Sequence, residues 1–133
     1  MDHHYYESLF VAVLSVNNYP LEKTWKIRAG LEKEGLFDPK TVAVLPLEKL
    51  FERLRRAGYD RGEFLTGLLA SRLQSAGEFL VAYGIDSAPR ALSEGSAADV
   101  QAMLKNVRGI GPAVVRNFLL LRGQQNRPPA SRR

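Results

Sequence analysis

The 133-residue chain contains no cysteine, which excludes disulfides and thiolate metal centres and suits a reducing compartment. No apolar run approaches the roughly 18 residues that a membrane-spanning helix requires. The first residues, MDHHYYES, present an acid and histidines where a secretory leader would carry basic residues. A cytoplasmic protein with no membrane partner is therefore expected, nucleoid-associated if the source is bacterial. His3 and His4 are adjacent and cannot share one helix face, so no metal and no cofactor is expected from them. Nowhere does the sequence show the two-residue alternation of a strand, and no internal repeat is visible in it. The last absence is local: beyond Asp99 the chain has no acidic residue at all.

What is present reads as helix. Apolar and charged residues make up 45% and 25% of the chain, proportions that support one domain with a real core. Leu9, Phe10, Val13 and Leu14 give a buried stripe to a first helix over 5–16, which Asn17, Asn18, Tyr19 and Pro20 break. A second helix is expected over 21–34, stopped by Gly35, and a short third one over 40–44 behind Asp38-Pro39. Pro46 opens the cleanest amphipathic segment, with Leu47, Leu50, Phe51 and Leu54 inward, and Gly58 ends it. A long helix over 62–83 follows, with Gly77 as a point of weakness, and then a loop over 84–95. Ser96 and Asp99 form a capping-box-like start for a helix over 97–106. A last helix covers 112–122. The fold class is all-α, a multi-helix bundle over 1–123, with a basic tail over 124–133 expected to be disordered.

Positive charge is concentrated toward the C-terminus. Of the net charge of +5, residues from Val100 onward contribute seven basic side chains and no acid. The first 99 residues hold the other twelve basic residues and all fourteen acids, a net of −2. Such a gradient points to a polyanionic partner, or simply to a solvated basic helix.

Within the basic region, Val107-Arg108-Gly109-Ile110-Gly111-Pro112 joins two helices through glycines two apart. Glycine tolerates positive φ, so both glycines suit a tight reversal that exposes backbone N–H groups. Ile110 is expected to point inward and pin the turn. Pro112 starts the next helix without loss of a hydrogen bond. The N–H groups near Gly109, Gly111 and Ala113, with the helix dipole, suit an anion such as phosphate. Arg108 and Arg116 are placed for neighbouring phosphates, and Lys105 lies nearby. A plain packing turn is the competing interpretation.

The chain resembles the helix-hairpin-helix DNA glycosylase superfamily of base-excision repair, the group of endonuclease III and the alkyl-base glycosylases. The likeness rests on FVAVLSVNN (10–18), LPLEKLFERLRRAGY (45–59) and above all LKNVRGIGPAVVRNFLLLR (104–122). It implies a six-helix-barrel-like domain containing a helix-hairpin-helix that holds duplex DNA, intact or damaged, by its backbone without reading sequence. It also implies that Asn17, with Asn18 beside it, occupies the loop that enters the DNA, although two asparagines also suit a simple turn.

Two departures bear on catalysis. Members with lyase activity carry a lysine where this chain has Ala113, and active members use an aspartate downstream of the hairpin, where this chain has no acid. Helices that would build the second wall of a base pocket are also missing. The expectation is a DNA-binding domain without its own catalytic residues. The alternatives are a DNA N-glycosylase without lyase activity, completed by a partner protein or by an atypical carboxylate such as Asp60 or Asp99, and a protein-interaction module. Trp25 and Tyr59 suit either base stacking or the core.

Overall fold

The computed structural model describes residues 4–16, 19–84 and 86–124, and every regular element among them is an α-helix. In chain order these are α1 (His4–Leu14), α2 (Leu21–Lys26), α3 (Arg28–Lys33), α4 (Pro39–Val44), α5 (Leu47–Ala57), α6 (Glu63–Tyr83), α7 (Ala88–Glu94), α8 (Ala97–Leu104) and α9 (Pro112–Gln124). The all-α expectation holds. Several ends follow directly from local chemistry. Asp38 accepts from the Lys40 N–H at the start of α4, and Gly58, at φ 105°, closes α5 in the left-handed conformation. Ser96 and Asp99 form the full reciprocal capping box at the start of α8.

Besides shifts of one or two residues at the ends of the first helix and of α8, three features differ from the sequence reading. The expected helix over 21–34 breaks at Ile27, where Trp25 and Leu31 bury on either side of the bend and Ile27 itself packs on Gly58. The expected loop over 84–95 contains α7, whose only buried residues, Ala88 and Leu92, are too few to reveal a period. α9 runs two residues further than expected, to Gln124; residues 125–133 lie outside the described part.

α1 organises the rest. Leu9 through Leu14 are all at most 1% exposed, so this helix is buried on every face rather than along one stripe. α2, α6, α7 and α9 pack around it. Its last carbonyls are gathered by distant side chains: Tyr59 Oη donates to Leu14 O at 2.7 Å, Asn117 Nδ2 to Ser15 O at 3.4 Å, and an Arg61 Nη to Val16 O at 2.7 Å. Burial pushes the Tyr59 hydroxyl up to about 12, so it stays a donor. Trp25 and Tyr59 are both core residues, 6% and 0% exposed, which removes them as base-stacking platforms. Conversely Leu47, expected to face inward, is exposed, as is Phe64 of α6.

Gly77 is a packing residue, not a weakness. A Cβ there would lie 3.0 Å from Val42 Cγ1 and 3.1 Å from the Pro39 carbonyl, so its bareness lets α4 lie close against α6.

The structure also contains a repeat that residue identities conceal. The order of α4, α5, a turn and α6 is followed about fifty residues later by α7, α8, a turn and α9, although α6 lies against α4 far more extensively than α9 does against α7. Pro39 and Pro89 sit in the first turns of α4 and α7, and Val42 and Leu92 are the buried residues of those helices. Leu50 and Leu54 match Val100 and Leu104, and left-handed Gly58 matches left-handed Gly109. The third helix of each unit caps the carbonyl end of the first. Gln74 of α6 donates to the carbonyls of Val42 and Leu45, and Arg122 of α9 to those of Leu92 and Gly95. What repeats is burial and capping; few side chains are the same, so the sequence alone shows no repeat.

Between α3 and α5, Arg53 donates to the Glu34 carbonyl, and Arg56 grips the Glu34 carboxylate at 2.8 and 3.2 Å. Those hydrogen bonds from Arg56 hold the Glu34 carboxyl below the usual carboxylate range. A depressed folded pKa stabilises the fold above the unfolded value of about 4.3, and the gain is lost as pH falls through the folded value. Glu34→Gln is therefore expected to melt below the parent at neutral pH, with the two curves converging as the pH falls through the folded value. A gap that stays constant into acid would assign Glu34 to packing instead.

Candidate nucleic-acid interface

The α8–α9 connection has the compact form the sequence suggests. Val107 N–H bonds back to Leu104 O, and Ile110 N–H to Val107 O at 3.1 Å. Ile110 is 7% exposed and joins Val107, Val114 and Phe118 in the core. The turn is therefore pinned from beneath.

The two glycines differ. Gly109 has φ 86° and is crowded: a Cβ there would meet Arg72 Cγ at 2.5 Å. Gly111 is not left-handed, and a Cβ on it would meet nothing within 4 Å. The expectation that both need positive φ holds for Gly109 alone. Gly111 is open ground, where another surface can approach the backbone.

That backbone has donors to offer. The first hydrogen bond of α9 runs from Val115 N–H to Gly111 O, at 3.2 Å. Among the described residues, no acceptor takes the N–H groups of Gly111, Ala113 or Val114. They converge at the positive end of a 13-residue helix.

The equivalent turn of the first unit shows the opposite arrangement. There Gly62 N–H donates to Asp60 Oδ1 at 3.1 Å, and Arg61 N–H to Thr66 Oγ1 at 2.8 Å. Asp60 also pairs with Arg55 at 3.2 Å, leaving a carboxylate at the turn. The N–H of the glycine before the helix is thus taken up by a carboxylate in one turn and left open in the other, while the next N–H groups of α6, like those of α9, have no side-chain acceptor among the described residues.

The arginines sort in the same way. Arg28 pairs with Glu7 and lies over the Trp25 ring, Arg56 pairs with Glu34, and Arg90 reaches Glu94. Arg53, Arg61 and Arg122 donate to backbone carbonyls. Arg122, one of the C-terminal cations, is therefore structural. Among the described residues, Arg72, Arg108 and Arg116 have neither an ion pair nor a hydrogen bond. Arg108 is in the open turn and exposed, and Arg116 is exposed one turn along α9. Lys105, at the end of α8, is exposed as well. Sequence reasoning missed Arg72, because nothing local links a residue of α6 to a turn 37 positions away.

The remaining expected site residues divide. Ala113 lies in the first turn of α9 and carries no amine. Asn17 and Asn18 lie outside the described residues. The chain leaves α1 for them beside Asn117, five positions into α9 and so about 7.5 Å along the helix from its start. Asp60 and Asp99, the two carboxylates considered for catalysis, are engaged in the first turn and in the α8 cap. No cluster of three or more metal-ligating side chains occurs among the described residues, and no helix there is long and apolar enough to cross a membrane. Compared with known proteins, the chain matches no family model, no curated protein and no solved structure.

Proposed function

We propose that the chain binds duplex DNA through its phosphate backbone, without reading sequence, and that α8, the turn at 105–111 and α9 act as a helix-hairpin-helix. The observation that carries this reading is the contrast between the two turns. Only the one at Gly109–Gly111 leaves both the N–H group of its last glycine and its flanking cations unpaired, and it has no carboxylate within the turn. Gly111, Ala113 and Val114 N–H groups receive one phosphate, and Arg108, Arg116 and Lys105 reach its neighbours. Contacts of this kind hold a duplex in position and carry no base information.

Binding is favoured over base excision. Asp60 and Asp99 already serve turns and caps, and Ala113 supplies no nucleophile for a Schiff base. Nothing in the described residues favours a protein partner over DNA at this turn.

The test is a fluorescence-anisotropy titration with unrelated duplexes over a range of salt. Neutralising about four to six phosphates gives a log K against log salt slope of about −4 to −5, similar for every sequence. Affinity that hardly changes from low to moderate salt would count decisively against a phosphate interface.

A further inference from the structure

We infer that Arg72 of α6 is an additional phosphate-contacting residue, held across the α8–α9 turn from outside it; the inference rests on the DNA-binding reading above. Arg72 lies in the middle of a 21-residue helix whose neighbouring Leu69, Leu73 and Ala76 serve the core. Its aliphatic stem crosses Gly109 so closely that a Cβ on the glycine would be 2.5 Å from its Cγ, 2.9 Å from its Cδ and 3.0 Å from its Cβ. The absent side chain at Gly109 is what admits it. The residue is only partly exposed, and its guanidinium has no ion pair or hydrogen bond among the described residues.

This arrangement differs from that of an ordinary surface arginine. Packing the stem on the turn removes much of the rotamer freedom that would otherwise be lost on binding. The planar fork, without a partner among the described residues, is carried by a stem seated on the turn, and it suits two oxygens of one phosphate. The interface therefore draws on both repeat units: α6 of the first supplies Arg72, and α9 of the second supplies the N–H cradle and Arg116. The competing role is packing alone, with the stem merely covering Gly109.

Two neutral replacements and one charged replacement separate these roles in the full chain. Arg72→Met and Arg72→Gln keep a long stem over Gly109 and remove the charge, while Arg72→Lys keeps both stem and charge. With a random duplex at low salt, the neutral variants are expected to bind about three- to tenfold more weakly and to lose about 0.9 from the salt slope, and Arg72→Lys to recover most of that slope. Thermal melts identify whichever neutral variant is folded like the parent, and that one is used. Neutral variants with the parent's slope, alongside weakened Arg108→Ala and Arg116→Ala, would overturn the role of Arg72 and leave the interface standing. Arg108→Ala and Arg116→Ala that bind like the parent would overturn the interface itself, and the role of Arg72 with it.

Discussion

Gly111→Asp is expected to lower the affinity for duplex DNA by about tenfold or more, roughly 1.4 kcal/mol per decade, while leaving the fold intact. The structure makes this a clean experiment. Gly111 is not left-handed, and a Cβ there meets no heavy atom within 4 Å, so the new side chain fits without rearrangement. Its carboxylate then stands beside the unpaired N–H groups of the α9 N-terminus. It repels an incoming phosphate and, from the N-cap position, accepts from the N–H groups of Ala113 or Val114. Helix stability should even rise slightly, since an acid at this end complements the dipole. Gly111→Ala adds the Cβ without the charge and is expected to bind within about twofold of the parent, because the space is open. Parent-like affinity in a folded Gly111→Asp protein would show that DNA does not approach this backbone.

How far the sequence leads depends on whether a signal is local. Pro46 and Gly58 bracket α5 and Ser96 with Asp99 opens α8, because caps act within one turn of chain. Ile110 between two glycines is also a local pattern, and it is buried as expected. Signals that depend on tertiary partners stay hidden. The break at Ile27 comes from what Trp25 and Leu31 pack against, and α7 forms from two buried residues placed against α1.

Charge is the sharpest case. The sequence counts every arginine alike, but Arg122 is spent on carbonyls of α7 while Arg72, far from the basic end in sequence, lies on the turn. Composition points to the basic end of the chain, and only the packing of Arg72 of α6 on Gly109 brings a cation from elsewhere in the sequence to that turn. The repeat was invisible for a related reason: two units can share burial and capping geometry while using glutamine in one and arginine in the other.

Phe118→Ala is expected to have the largest effect on the fold itself, a loss of about 3–5 kcal/mol. Phe118 is fully buried in α9, and α9 packs against α1, the helix around which the others gather. The lost volume cannot be refilled cheaply, because Phe10, Val13 and Leu14 of α1 are themselves 0–1% exposed. Chemical denaturation should show a midpoint shifted to lower denaturant with little change in slope. The consequence for DNA is distinct from that of Gly111→Asp. Phe118 is fully buried and offers no group to a phosphate, so at low temperature, where the variant is still folded, its salt slope should equal the parent's. Only the folded fraction should limit binding, and the deficit should grow with temperature as that fraction falls. A slope reduced in the fully folded variant would mean that the seating of α9 on α1 sets the reach of Arg108 and Arg116, which would make the core residue part of the interface geometry.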